Sequence, residues 1–322
     1  MITQVRFAAT GGPEVMALES AAMPMPGPGE LLLRQTAIGL NFIDTYHRTG
    51  LYPIPLPSGL GLEAAGVVEV VGAGVSIAPG TRVGYCWGPI GAYASHRVIA
   101  ADRVVVLPDG VSDEAAAAVL LKGCTTEFLV ERCARVQSGQ WALVQAAAGG
   151  VGLLLVQWLK HIGATVVAVA GSPEKLAIAM AHGADHGLVQ DATMAQQVRE
   201  LTGGRGVDVV FDGVGRATFE ASLDSLKRRG LLASYGNASG AVGAVDFAIL
   251  ARKGSLFATR PTLFDYYTNR EEIERYAGRV LDLVAKGVLK VNVDQRYALK
   301  DVATAHRDLE ARRTTGSTVL LP

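Results

Sequence analysis

Apolar and polar positions follow two different rhythms along the chain. In the first third, short β-branched runs alternate with glycine and proline. Glu30–Ala37, Ala64–Val71, Arg82–Tyr85 and Val104–Leu107 predict strands, and Met1–Phe7 reads as another. Pro24–Gly29 and Tyr52–Pro57 cannot be helical, because proline lacks the amide hydrogen and clashes with the preceding turn. A compact, mostly antiparallel β domain is expected over residues 1–123. Ser112-Asp113-Glu114-Ala115 signals a helix start, followed by an alanine-rich stretch to Leu121. From Trp141 the rhythm changes. Strands are expected at Trp141–Gln145, Thr165–Ala170, Gly187–Val189, Val207–Asp212, Gly230–Ser234 and Ser255–Thr259, with helices such as Val151–Ile162 and Pro173–His182 between them. Such alternation implies right-handed βαβ units and an α/β, doubly wound parallel sheet over residues 124–262. Residues 263–322 carry a predicted helix over Arg270–Lys286, more strand and a helix near Asp301–Arg312, and are expected to return to the first domain.

The chain has 322 residues, 49% of them hydrophobic and 19% charged, which is a globular composition and not a disordered one. Thirty basic residues balance thirty acidic ones, so nothing favours a nucleic-acid or membrane-surface partner. Cys86, Cys124 and Cys133 are too few for a disulfide scaffold and lack metal-knuckle spacing, which fits a reducing cytosol. The N-terminus lacks the apolar core of a signal peptide, and the apolar run Val144–Leu159 is broken by its glycine-alanine turn and Gln157. A soluble, cytoplasmic protein is expected.

Ala147-Ala148-Gly149-Gly150-Val151-Gly152 follows a predicted strand and opens a predicted helix, the context a dinucleotide-binding loop requires. Gly149 and Gly150 let the backbone approach a pyrophosphate. The helix from Val151 offers free amides and the positive end of its dipole, and Gly152 lets helix and sheet approach. Ala147 stands where the first fingerprint glycine is usual, and a glycine-rich packing turn is the alternative. The second strand ends in Gly171-Ser172-Pro173-Glu174-Lys175 with no carboxylate at its tip, so Ser172 and Lys175 suit a 2′-phosphate and favour NADPH over NADH. The six histidines form neither HExxH nor a cysteine-paired ligand set; His182 and His186 are explained by a helix C-terminus. No metal site can be read. There is no G-x-S-x-G elbow and no P-loop lysine, which counts against hydrolase and kinase chemistry.

Five segments in order carry a family resemblance: Gly11–Val15, Asn41–Tyr46, Gly59–Gly66, Ala146–Gly152 and Ser234–Gly240. With these the chain resembles the medium-chain dehydrogenase/reductase superfamily, and more closely its zinc-free quinone oxidoreductase, zeta-crystallin-like branch, over essentially its whole length. The resemblance implies a GroES-like catalytic domain (1–123), a Rossmann NADPH-binding domain (124–262) and a C-terminal return (263–322). Asn41 stands where zinc-dependent members carry a cysteine, and Gly61-Leu62-Glu63 where they carry G-H-E. By resemblance, Asn41, Phe42, Asp44, Thr45 and Tyr46 line an interdomain nicotinamide cleft, with Tyr52 nearby and Thr125 and Phe128 approaching. Gly149, Gly150 and Val151 hold the pyrophosphate; Gly171, Ser172 and Lys175 hold the adenosine phosphate, with Arg312 reaching it from the tail. Gly215, Asn237 and Ser239 contact the ribose and nicotinamide side, and Thr262, Leu263 and Phe264 close over the ring. Gln190 departs from close relatives, which place a tyrosine there.

The resemblance implies NADPH:quinone oxidoreductase activity, with Asn41, Tyr46 and Tyr52 orienting the acceptor's carbonyl. Two alternatives stand beside it: reduction of an activated C=C bond in an enone or enal, and a non-catalytic NADPH-binding protein with an RNA-binding role. A homodimer is expected through the apolar strand region Val245–Thr259, which would hide a sheet edge.

Overall fold

The structure, a computed structural model, describes residues Met1 to Pro322. Its first elements in chain order are β1 (Ile2–Phe7), β2 (Ala17–Ala21), β3 (Glu30–Leu40), α1 (Phe42–Thr49), β4 (Ser58–Gly59), β5 (Glu63–Val71), β6 (Arg82–Tyr85), β7 (His96–Ala100), β8 (Val105–Val106) and α2 (Asp113–Glu127). Then follow β9 (Trp141–Val144), α3 (Gly150–His161), β10 (Thr165–Ala170), α4 (Pro173–Ala181), β11 (His186–Val189), α5 (Met194–Leu201), β12 (Val207–Asp212), α6 (Phe219–Asp224), β13 (Leu226–Ser234), α7 (Ala248–Arg252) and β14 (Phe257–Thr259). The tail holds α8 (Arg270–Glu272), α9 (Gly278–Ala285), β15 (Val293–Ala298), α10 (Val302–Glu310) and β16 (Ser317–Leu321). Two compact units divide the chain: Met1–Cys124 with Tyr267–Pro322, and Thr125–Tyr266.

The first unit is built on a sheet of order β15-β16-β3-β5-β6-β8, with β7 also on β3 and a small sheet β2-β1-β4 beside it. Every pairing is antiparallel except β15 with β16. Along β3, Leu31, Leu32 and Leu33 are all buried, at an irregularity in the pairing with β5 between Leu32 and Leu33. The last strand, β16, pairs with Ile38–Leu40 of β3, so residues from the far end of the chain complete this sheet.

The second unit is a six-stranded sheet, β11-β10-β9-β12-β13-β14, with every neighbour parallel. Strands covered on both faces read as continuous apolar runs, and Ala142–Val144, Val166–Ala170 and Val209–Phe211 are buried throughout. One face packs Leu143, Val167, Val169, Leu188, Val210 and Leu232 into a core. The strand order reverses between β9 and β12, the point at which open sheets of this class leave a crevice outside their carboxyl ends.

Four expectations are corrected. The alanine-rich helix runs past Leu121 to Glu127 and widens into a π turn over Phe128–Cys133. Gly123, a poor helix former, is required there: a Cβ on it would lie 2.5 Å from a Val280 methyl, so packing overrides propensity. The single helix expected over Arg270–Lys286 is interrupted by a π turn at Ile273–Ala277. Within Val245–Thr259 only Phe257–Thr259 is strand; Ala248–Arg252 is helix, started by the Asp246 carboxylate accepting the Ala248 amide at 2.9 Å. His186 does not share a helix end with His182: it opens β11 and stacks on Trp141, centroids 5.2 Å apart and planes within 7°.

Candidate cofactor and acceptor site

In the second unit the loops at the carboxyl edge of the parallel sheet gather most of the expected cofactor residues. After β9 the chain turns at Ala146, whose φ of +51° is left-handed and unusual for a residue with a Cβ. That turn aims the Ala146 carbonyl at Gly149, whose amide donates to it at 2.9 Å. Gly149 is the N-cap of α3, with no side-chain cap and no acidic residue in the first turn. No side chain thus competes for the first-turn amides and no acid shares that turn, which is what an anionic pyrophosphate needs. Gly152 is obligatory. A Cβ there would lie 2.3 Å from the Ala146 oxygen and 2.8 Å from Ala147 Cα. Ala147, where the fingerprint usually has glycine, is itself buried against the sheet.

At the tip of β10, Gly171 is exposed, with open space where its Cβ would be. Ser172 caps α4 by accepting the Lys175 amide at 3.4 Å, and its hydroxyl donates to Glu174, holding that carboxyl below the usual range. Ser172 is thus committed to the fold as well as presented at the strand tip. Gln190 donates its amide to Ala170 O at 2.9 Å, and its side-chain oxygen Oε1 is buried with no partner. A buried acceptor without a donor costs stability unless a ligand supplies one.

After β12 a carboxylate that the motif search did not single out organises the next loop. Asp212 Oδ1 accepts the amides of Val214 and Gly215 at 2.8 and 3.0 Å, and Oδ2 accepts the hydroxyls of Thr218 and Ser222, both at 2.8 Å. Gly215 sits in this loop at φ +89°, where a Cβ would also be 2.7 Å from Gly240 O. Ser239 closes the loop: its hydroxyl donates to Val214 O at 2.8 Å and accepts the Ala217 amide at 3.0 Å. Arg260 donates to Ser234 O and Gly236 O at 3.0 and 2.9 Å, fixing the segment that leads to Asn237. Such carboxylate and guanidinium anchors carry no motif; only a lone acid at a strand end hinted at Asp212. Phe128 is buried with its ring stacked on Tyr266 at 4.5 Å, and Thr125 is buried too, so both belong to the unit's interior. Thr262 precedes a short 3-10 turn in which Leu263 is buried and Phe264 is 41% exposed.

In the first unit, Asn41, Phe42, Asp44, Thr45 and Tyr46 all lie on the opening turn of α1. Asn41 and Asp44 form a capping box, Asp44 Oδ2 accepting the Asn41 amide at 2.9 Å. Asn41, 4% exposed, also donates from Nδ2 to Glu63 Oε2 at 2.8 Å. Glu63 is fully buried, takes the Leu121 amide at 2.7 Å and lies 3.7 Å from Lys122 Nζ; burial still raises its carboxyl above the ordinary range. Thr45 donates its hydroxyl to Phe42 O at 2.7 Å. Tyr46 packs between Phe42 and Tyr52, centroids 6.4 and 5.1 Å away, and the Tyr52 backbone amide donates a hydrogen bond to Tyr46 O at 3.0 Å. The result is an aromatic face beside an amide, suited to a flat acceptor with a carbonyl.

Asp44 departs from its expected role. It is completely buried beneath α1, Oδ1 has no partner, and burial pushes its pKa up to about 7. Arg312, φ +58°, follows α10 in the first unit, whereas Ser172 and Lys175 lie in the second. No three His, Cys, Asp or Glu side chains gather as a metal-ligating group, and no helix is long and apolar enough to cross a membrane.

With this geometry in place, comparison with known proteins gives consistent matches. Residues 27–109 match the alcohol dehydrogenase GroES-like domain and residues 150–286 the zinc-binding dehydrogenase family. The chain is 48% identical to a quinone oxidoreductase of Pseudomonas aeruginosa, across all of both chains. It is 42% identical to a 2-haloacrylate reductase of a Burkholderia species, over 97% of this chain and 96% of that one. The solved structure of Escherichia coli quinone oxidoreductase complexed with NADPH superimposes with a TM-score of 0.96 at 46% identity, covering 99% of this chain and 100% of that one.

Proposed function

Because the chain belongs to the quinone oxidoreductase branch of the medium-chain dehydrogenase/reductase superfamily, we propose that it is a zinc-independent NADPH:quinone oxidoreductase. The observation that carries this is the full-length likeness to a quinone oxidoreductase whose structure holds NADPH. The residues present fit that cofactor. An uncapped helix start, a strand tip without a carboxylate and a buried Gln190 oxygen lacking a donor lie at one edge of one sheet.

When bound, NADPH supplies a hydride from its nicotinamide ring. Gly149, Gly150 and Val151 would take the pyrophosphate on backbone amides. Gly171, Ser172 and Lys175 would take the adenosine 2′-phosphate, with Arg312 adding charge. Gln190 Oε1 would accept a hydrogen bond from the adenosine, in place of tyrosine stacking. The Asp212-anchored loop with Gly215, and Asn237, would meet the ribose side, with Ser239 acting chiefly as a brace and Thr262, Leu263 and Phe264 flanking the ring. Thr125 and Phe128 would support this from the interior. Phe42, Thr45 and Tyr46 would line the nicotinamide, and on the acceptor side Phe42, Tyr46 and Tyr52 would bound a flat ring. The remaining Asn41 amide hydrogen and the tyrosines would stabilise charge growing on the carbonyl oxygen. A quinone needs no strong protein acid, since aromatisation stabilises its reduced oxygen and water protonates it.

NADPH fluorescence titration and steady-state NADPH oxidation with a panel of quinones test the reading. No binding, no turnover with any quinone, or turnover abolished by chelators would overturn it. A second reading, reduction of an activated C=C bond, is favoured by the likeness to the 2-haloacrylate reductase. Haloacrylates and alkenals run beside quinones separate the two. We further propose a cytosolic homodimer. It is supported by the edge strand β14, where Phe257 is 61% exposed, and by nearby Phe247 at 80%.

A further inference from the structure

A chain of buried polar groups runs under α1 that the proposed function does not use. Arg48, in the last turn of α1, is held by a bidentate pair to Glu310 at the end of α10, at 2.6 and 3.1 Å, and by Gly11 O at 3.1 Å. Its Nη1 lies 3.1 Å from His306 Nδ1. The other ring nitrogen, Nε2, lies 3.1 Å from the Tyr93 hydroxyl, which lies 2.9 Å from Asp44 Oδ2. Arg48, Tyr93, His306 and Asp44 are all buried.

The direction of this chain follows from its first member. A guanidinium has only N–H bonds to offer, so His306 Nδ1 must be the acceptor. His306 therefore carries its hydrogen on Nε2 and donates to Tyr93 Oη, and Tyr93 must then donate its own hydrogen to Asp44. Burial and the Arg48 charge press the same way, pushing the His306 pKa down to about 3. Asp44 Oδ2 thus takes two donors, Tyr93 and the Asn41 amide. Any proton Asp44 carries sits on Oδ1. Further groups acting on the carboxyl are Lys122 from α2, which lowers its proton affinity, and Glu63 from β5, which raises it. The chain cannot conduct protons, because passing one on would demand that a guanidinium give one up. It can only hold Asp44 still.

Asp44 in turn caps the turn that carries Asn41, Phe42, Thr45 and Tyr46. We propose that Tyr93 and His306 are positioning residues for the cofactor-binding turn of α1, acting through Asp44 and anchored to α10 by Arg48. This rests on the proposed function for what the turn binds, but not for how it is held. None of the three anchoring residues lies in a recognisable motif, and Tyr93 and His306 are 213 positions apart.

Two readouts test it: backbone amide exchange over residues 41–46, which needs no cofactor, and the NADPH dissociation constant by fluorescence. Tyr93→Phe and His306→Leu are expected to speed exchange in the turn and weaken NADPH roughly tenfold, the loss of about one hydrogen bond to a charged group. His306→Gln keeps an acceptor for Arg48 and a donor for Tyr93, so it should recover most of both. A role confined to general stability would lower the melting temperature of all three alike and leave exchange at 41–46 no faster than elsewhere, which would overturn the proposal. If the wild type takes up no NADPH, the proposed function fails while the exchange measurement still judges this one. Should the variants not fold, ¹⁵N-histidine NMR of the wild type decides. A neutral His306 with its hydrogen on Nε2 throughout pH 5–8 supports the chain, and a ring titrating near 6.5 or protonated on Nδ1 refutes it.

Discussion

Gly152 offers the sharpest test of how the nucleotide loop is built. Replacing it with alanine puts a carbon 2.3 Å from Ala146 O and 2.8 Å from Ala147 Cα, both backbone atoms that cannot swing aside. A carbon and a carbonyl oxygen rest at about 3.3–3.6 Å, so helix and loop must part by about 1 Å. Ala146 is poorly placed to yield, since its left-handed turn is what aims that oxygen. Overpacking of this kind costs roughly 1–3 kcal/mol of stability. Moving the first-turn amides of α3 by the same amount should forfeit about one phosphate hydrogen bond, about tenfold or more in NADPH affinity. Gly149→Ala meets the same oxygen only at 3.2 Å, a milder crowding, and Gly171→Ala meets nothing within 4 Å. The three variants form a graded series. Urea unfolding should rank them 152, 149, 171 in lost stability, with the last within about 0.5 kcal/mol of wild type. Any affinity lost by Gly171→Ala then reports the ligand alone. A Gly152→Ala protein as stable and as tight for NADPH as wild type would refute the reasoning.

Further expectations concern charge, selectivity and assembly. His306 has a folded pKa lowered to about 3 from 6.5, so its contribution is whole above pH 6.5 and is lost as pH falls toward 3. Asp44, raised to about 7 from 3.8, works oppositely, gaining stability as pH falls from 7. His306→Gln removes only the first, so between neutral pH and pH 5 it should lose about 2 kcal/mol less than wild type in urea melts; parallel losses would contradict this. Lys175→Ala should weaken NADPH more than NADH, narrowing the ratio of their dissociation constants several-fold, and an equal effect on both would remove Lys175 from the phosphate site. Tyr46→Phe should lower alkenal turnover more than quinone turnover if the hydroxyl also donates a proton, and equal loss on both would confine it to orienting the carbonyl. Phe257→Glu should shift the mass by light scattering from dimer to monomer, and an unchanged mass would place the interface elsewhere.

The parallel sheet was legible because strands buried on both faces announce themselves, and β10 and β12 fall where their apolar runs predict. Glycines also spoke clearly, since only close backbone approach explains three of them within four positions. What escaped were long-range decisions. The alanine-rich run points to helix only as far as Leu121, and Val280, far along the chain, shows why Gly123 in its continuation must be small. Asp246 capped a helix inside a run that looked like strand. At the site, Asn41 and Tyr46 were visible, but the partners that hold them, Glu63, Tyr93 and His306, were not, because polar residues that pair across the fold leave no periodicity. The resemblance places Asp44 along the nicotinamide cleft, and only its burial reveals it as a fastening.

The junction of β16 with β3 bears on the order in which the protein takes shape during synthesis. The strand that flanks Ile38–Leu40 is made of residues Thr318–Leu320, so the earlier unit stays incomplete through nearly all of translation. The unit spanning Thr125–Tyr266 is one uninterrupted stretch and can assemble while its neighbour still waits with an open flank. Shortening the C-terminus by a handful of residues would therefore strike the earliest-made part of the polypeptide hardest.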